Sequence, residues 1–198
     1  MRKDIVLCGV GGQGTVLASR LISSAAMARG EQVMSAETIG MAQRGGSVFS
    51  HLRIGNGIAS PMIASGEADL ILGFEPGEAV RVLPYLKKDG RMIVSSLPVM
   101  PVTAALGGSE YSAEDMLRYL REQVEHLMIL PAGDALREVG SPKVLNLILL
   151  GAALSDGALG LEEQEMKEAI IRQVPEKFHE LNFRALACGM RLGRELRA

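Results

Sequence analysis

The stretch "IVLCGVGGQGTVLASRL", Ile5 to Leu21, is the part of this chain that leaves fewest choices of fold. Asp4 to Gly9 is a β-rich apolar run. Glycines follow, and Thr15 to Arg29 then places Val16, Leu17, Leu21, Ala25 and Ala28 at helical spacing. The order is strand, tight loop, helix. Gly30 ends the helix and "EQVMSAE" resumes as a second strand, which completes a β-α-β unit. Such crossovers are right-handed and join strands that run parallel.

The rest of the chain continues the alternation. Ser47 to Ile54 places Val48, Ser50, Leu52 and Ile54 on one face and Phe49, His51 and Arg53 on the other, the period of a strand. After the turn "GNG", "ADLILGF" reads as a buried strand, "EPGEAVRVLPYLKK" as a helix with Pro76 in its first turn, and "GRMIVSS" as a strand. Leu97 to Tyr111, with Pro98, Pro101, Gly107 and Gly108, reads as a long loop. "SAEDMLRYLREQ" begins a helix at a Ser112 cap with Asp115 at the third position, and "HLMIL" is a further short strand. "SPKVLNLILLGAAL" starts with Pro142 in a first turn and is apolar nearly all round, so it requires burial on several sides. The last helix, from about Glu176, aligns Phe178, Leu181, Ala185, Gly189, Leu192 and Leu196.

The 198 residues suit one domain with a sizeable core. The expected fold is α/β, a Rossmann-like three-layer sandwich with a mostly parallel sheet over about residues 1–140. A helical portion, about 141–198, docks on the sheet or on a partner.

Composition removes whole classes of function. Lys and Arg total 21 and Asp and Glu 23, a formal net charge of −2, so no field draws the chain to nucleic acid or to an anionic membrane. Aromatic residues are 4% with no Trp, which takes away the stacking platforms of single-strand binders and weakens a carbohydrate reading. The two cysteines, Cys8 and Cys188, lie far apart and form no CxxC; a cluster or a structural zinc needs about four ligands. They read as buried free thiols of a reducing compartment. The N-terminus imitates a signal peptide, but Asp4, the Gly11 to Gly14 interruption and Arg20 break its apolar run. "VLNLILLGAAL" is far shorter than the roughly 20 residues of a membrane span. A cytoplasmic protein is expected.

Gly9, Gly11 and Gly14 satisfy G-x-G-x-x-G between strand and helix, and Glu37 stands near where a ribose-binding acid would lie. Glycines let the backbone approach a diphosphate whose charge the helix N-terminus stabilises. The same turn also serves simply to pack helix on strand, and the residues leave both readings open. The doubled glycine is shared with enzymes that adenylate ubiquitin-like proteins, but no tetracysteine or basic cluster follows. "MAQRGGS", Met41 to Ser47, joins a guanidinium to exposed backbone amides, a combination suited to phosphate or carboxylate. It serves equally as a turn with Arg44 paired to a carboxylate such as Glu37. His51, His126 and His179 are too scattered for a metal site or a triad and read as solvated or partly buried side chains, and the methionines as core filler.

Four segments together carry a resemblance: "GVGGQG" at Gly9 to Gly14, "ETIGMAQRGGSVFSHLRIG" at Glu37 to Gly55, "SPMIASGEADLILGFEPGEAVR" at Ser60 to Arg81, and "PAGDALREVGSPKVLNLILLGA" at Pro131 to Ala152. With them the chain resembles, over nearly its whole length, the gamma-type domain of 2-oxoacid:ferredoxin oxidoreductases. "GMAQRGG" and "GFEPGEAVR" look most like the beta subunit of the indolepyruvate enzymes. The resemblance implies a subunit of a heteromeric enzyme that oxidatively decarboxylates a 2-oxoacid to an acyl-CoA and passes electrons to ferredoxin. It further implies that thiamine diphosphate, magnesium and iron-sulfur clusters belong to a large partner subunit, and that the isolated chain is inactive. This sequence agrees in having no cluster cysteines and no thiamine "GDG" motif; "GDA" at Gly133 to Ala135 is not one. The resemblance implies that Gln43, Arg44, Gly45 and Gly46 approach the partner's active site or coenzyme A, beside Gly9, Gly11, Gly12, Gln13 and Gly14. Indolepyruvate members commonly carry His before the Gly-Met of this loop; Ile39 stands there instead.

Overall fold

The computed structural model describes residues 2–39, 46–100 and 110–197. Six strands form one sheet in the order β2-β3-β1-β4-β5-β6. They are β1 (Lys3–Val10), β2 (Val33–Ile39), β3 (Ser47–Ile54), β4 (Ala68–Gly73), β5 (Leu86–Ser95) and β6 (His126–Leu130). The helices among the described residues are α1 (Thr15–Ala28), α2 (Pro76–Val82), α3 (Ala113–Gln123), α4 (Ala132–Val139), α5 (Leu145–Ser155), α6 (Glu163–Gln173) and α7 (His179–Glu195). Ile5, Leu7, Leu52, Leu70 and Leu72 point from the sheet into a core shared with α1 and α4 to α7. Val6, Cys8, Ile71, Met92 and Val94 point the other way, onto α2 and α3. The result is the expected three-layer α/β sandwich.

The two strands of the first β-α-β unit run parallel, as expected. They are not neighbours, because β3 lies between them and is antiparallel to both. The side chains explain the order. β3 is buried on both faces, with Val48, Leu52 and Ile54 on one side and His51 on the other, so it needs cover from two sides. β2 carries Ser35 and Glu37 exposed and tolerates the edge. A correction concerns "EPGEAVRVLPYLKK": α2 stops at Val82, Leu83–Tyr85 is a 3-10 turn containing Pro84, and Leu86 to Lys88 already belong to β5. Proline has no N–H to continue the helical ladder. The Ser112 cap is as expected, its hydroxyl accepting the Asp115 N–H at 3.2 Å.

Helix α5 is buried from Leu145 to Leu154 within this chain, as its all-round apolar sequence requires, so it offers no surface to a partner. It crosses α7 backbone to backbone. A Cβ on Gly151 would lie 2.2 Å from the Leu186 carbonyl oxygen, and one on Gly189 would lie 2.0 Å from that of Ile148. The buried face of α7 therefore centres on small residues: Ala185 and Gly189 are buried as expected, but Gly193 and Asn182 join them while Phe178 and Leu196 are exposed.

His51 is also a correction, being wholly buried. Its ring sits edge-on between Phe49 and Tyr85, with centroids 5.4 and 5.2 Å away, and its Nδ1 accepts the Ile63 N–H at 3.3 Å. Burial first, and then the positive charge of Arg53, hold this imidazole below its ordinary value of 6.5. With the folded value lowered, the unfolded chain binds the extra proton first, so stability is full above about pH 6.5 and is lost as pH falls toward the folded value. A His51→Gln variant keeps an acceptor for Ile63 and removes the titration. Urea midpoints at pH 7.5 and 5.5 are expected to fall for the parent and to move less for the variant; equal shifts would refute this role of His51.

Candidate site at the carboxyl edge of the sheet

β1 and β4 are parallel neighbours. The chain leaves β1 for α1 in one helical layer and leaves β4 for α2 in the other, so their carboxyl ends open on the point where open α/β sheets place ligands. Two loops flank this crevice, Val10 to Gly14 and Phe74 to Pro76.

The glycine loop is shaped by what touches it. Gly9 has no room for a side chain: a Cβ there would meet Gln13 Oε1 at 2.7 Å and Phe74 Cβ at 2.8 Å. Gly14 caps α1 with φ +80°, and a Cβ there would lie 2.9 Å from the Asn146 side-chain nitrogen at the start of α5. Gly12, at φ +102°, faces open space. Gln13 folds back across the crevice, accepting the Val10 N–H at 2.9 Å and donating to the Phe74 carbonyl at 3.0 Å. The Gly11 N–H goes to the Gly46 carbonyl at 2.9 Å. The Gln13 N–H goes to the Val10 carbonyl at 3.2 Å, so three amides of the loop, those of Val10, Gly11 and Gln13, are used internally. The first turn of α1 has no side-chain cap and no acidic residue, so the positive end of this helix favours an anion beside Gly12 and Gly14.

Of the expected site residues, Gly9, Gly11, Gly12, Gln13 and Gly14 share one loop, and Gly46 meets it at Gly11. Gln43, Arg44 and Gly45 lie outside the described residues. Glu37 does not join the crevice. It and Leu7 both pair with Ser50, which places Glu37 two strand spacings, roughly 10 Å, from β1. It lines a polar groove with Ser19, Arg20, Ser23 and Ser35 instead. The ribose-acid reading of Glu37 is therefore corrected. Gly133 to Ala135 lie inside α4, where Asp134 is exposed and paired with Arg137, so the segment is a helix turn and no diphosphate-metal loop.

Beside these loops, on the α2 side, pack charged residues that the sequence alone does not single out. Glu75 caps α2 by accepting the Glu78 N–H at 2.9 Å and also accepts the Tyr111 hydroxyl. Glu78 accepts the Ser47 hydroxyl and has Arg81 Nε 3.4 Å away on its outer side. Glu75 and Glu78 are both buried, in a helix of seven residues. Their charges add to burial, the main cause, in pushing the Cys8 thiol upward. Tyr111 is likewise pushed up, by burial and then by Glu75. "EPGE" signals a capped helix start, but nothing local tells that Glu78 meets a serine from another strand.

Comparison with known proteins places this geometry among relatives. Residues 4–192 match the profile of the pyruvate ferredoxin/flavodoxin oxidoreductase family. The indolepyruvate oxidoreductase subunit IorB of Thermococcus kodakarensis is 35% identical over 195 residues, covering 98% of this chain and 96% of that protein. The gamma subunit of a keto/oxoacid ferredoxin oxidoreductase from Geobacter sulfurreducens superposes with a TM-score of 0.71 at 22% identity, over 98% of this chain and 99% of that one. The 2-oxoglutarate:ferredoxin oxidoreductase of Magnetococcus marinus, solved with 2-oxoglutarate, coenzyme A and succinyl-CoA, superposes with a TM-score of 0.72 at 18% identity; the match covers 98% of this chain and 31% of that longer one.

Proposed function

The chain belongs to the pyruvate ferredoxin/flavodoxin oxidoreductase family, and on that footing we propose that it is the small, non-thiamine subunit of a heteromeric 2-oxoacid:ferredoxin oxidoreductase of the indolepyruvate type. The observation that carries the reading is the 35% identity, end to end, with a protein named as an indolepyruvate oxidoreductase subunit. The enzyme oxidatively decarboxylates an aryl-pyruvate to an acyl-CoA and hands the electrons to ferredoxin. Thiamine diphosphate, magnesium and the iron-sulfur clusters reside on the large partner subunit and supply the decarboxylation and electron-transfer chemistry.

This chain's own part is to bind and orient. The open end of α1 at Gly12 and Gly14 accepts an anionic group, for which the phosphates of coenzyme A have the right charge. Gln43, Arg44, Gly45 and Gly46 complete the site against the partner, with Arg44 offering charge to a phosphate or to the oxoacid carboxylate. Gln13 holds the loop in shape by tying Val10 to Phe74. The substrate class is tested by co-expressing the chain with its large subunit and comparing oxoacids under anaerobic conditions. Ferredoxin reduction is expected to be at least tenfold more efficient with indolepyruvate than with pyruvate, roughly the discrimination that one to two kcal/mol of pocket fit supplies. Preference for pyruvate or 2-oxoglutarate would overturn the indolepyruvate assignment.

A further inference from the structure

We propose that Glu78 is a positioning residue of this enzyme: its buried carboxylate fixes Ser47, and through Ser47 the Gly46 backbone at the mouth of the glycine loop, and so sets how tightly the complex holds its anionic substrate. The proposal rests on the composite-site reading above. Ser47 is the first residue of β3 and pairs with Val10, the last of β1. Strand ends fray unless something beyond the ladder holds them. Here two contacts do so from different sides: the Gly11 N–H on the Gly46 carbonyl at 2.9 Å, and Glu78 on the Ser47 hydroxyl.

A carboxylate is a costly residue to bury where an apolar one would pack. Glu78 is only 8% exposed. Its neighbour Glu75 is 2% exposed and adds a second negative charge. Two features offset the cost. Both residues sit at the N-terminal end of α2, whose dipole favours negative charge, and Arg81 approaches Glu78 from the solvent side. What the charge gains is a strong hydrogen bond from a hydroxyl 31 residues away in sequence. Glu75 holds Tyr111 in the same manner, so the two glutamates tie both flanking segments to one short helix.

The test uses Glu78→Ala, Glu78→Gln, Ser47→Ala and the Ser47→Ala/Glu78→Ala double variant, each in the reconstituted complex and as the isolated chain. Glu78→Ala and Ser47→Ala are each expected to raise the KM for the oxoacid or for coenzyme A about tenfold with kcat within about twofold. The double variant is expected to be no worse than Glu78→Ala, and Glu78→Gln, which still accepts from Ser47, to restore the KM. In the isolated chain, amide exchange at Gly46 to Val48 quickens in both alanine variants and not in Glu78→Gln. Unchanged KM values in an active complex would overturn the positioning role while leaving the subunit assignment intact. Exchange that is unaffected would overturn the pin itself. An inactive parent complex would instead count against the proposed function, and the exchange arm would still decide whether Glu78 holds Ser47.

Discussion

Gly189→Val is expected to abolish the folded chain at ordinary temperatures or, where some survives, to cost at least about 4 kcal/mol. Overpacking a core by a methylene or two typically costs about 1–3 kcal/mol, because side chains can move aside. Here they cannot. The atoms that an added Cβ would meet are the Ile148 carbonyl oxygen at 2.0 Å, its carbon at 2.8 Å and the Ile148 Cα at 2.9 Å, all backbone of α5. Helix α5 is itself enclosed on every side, so α7 must lift off it and expose apolar surface along the whole crossing. A domain whose total stability is about 5–15 kcal/mol has little reserve against that. Soluble yield and the urea midpoint check the prediction. Ile171→Ala, on the exposed face of α6, serves as the control and is expected to change little. A Gly189→Val midpoint equal to the parent's would refute the backbone-contact account of the α5–α7 crossing.

The second large effect falls on Arg44. In the reconstituted complex, Arg44→Ala is expected to lower kcat/KM for the oxoacid or for coenzyme A by roughly 10- to 100-fold, the worth of one lost charge-assisted hydrogen bond of about 1.5–3 kcal/mol. Arg44→Lys keeps the charge but loses the planar fork, so partial recovery is expected. Unchanged kinetics with both substrates would remove Arg44 from the site. Because Arg44 lies only three residues before Ser47, its loss and that of the Glu78 pin act on the same segment, and their effects are not expected to add.

Much of the fold was legible because the sheet layers write themselves into periodicity. Alternation along Ser47 to Ile54 identified which side chains share a face, and the near-continuous apolar character of α5 announced burial all round. Strand order was not legible. That β3 slips between β1 and β2 depends on which strand most needs cover on two faces, a comparison across the sheet that no local window contains. The two ends of the α7 stripe were misplaced for a related reason, while Leu181, Ala185, Gly189 and Leu192 do pack on the core. The large apolar residues Phe178 and Leu196 suggested the buried face, whereas close helix approach selects the small ones, Gly189 and Gly193.

The site divides in the same way. The glycine loop is readable from its own residues, and the structure joins Gly46 to it through the Gly11 amide. Glu37 reads as a ribose acid from its spacing to the glycine loop, but β3 separates β2 from β1. Glu75, Glu78, Tyr111 and Asn146 escaped notice because their roles depend on partners 31 to 132 residues away. A buried carboxylate against a serine leaves no periodic signature.

The most direct test of the central claim is a titration of the anaerobically prepared large subunit with this chain, following indolepyruvate-dependent and coenzyme A-dependent reduction of ferredoxin. The account predicts no activity from this chain alone and a rise in rate that saturates as the chain fills its sites on the large subunit. Robust oxoacid oxidation by the isolated chain, or a large subunit whose rate does not respond to it, would contradict the account.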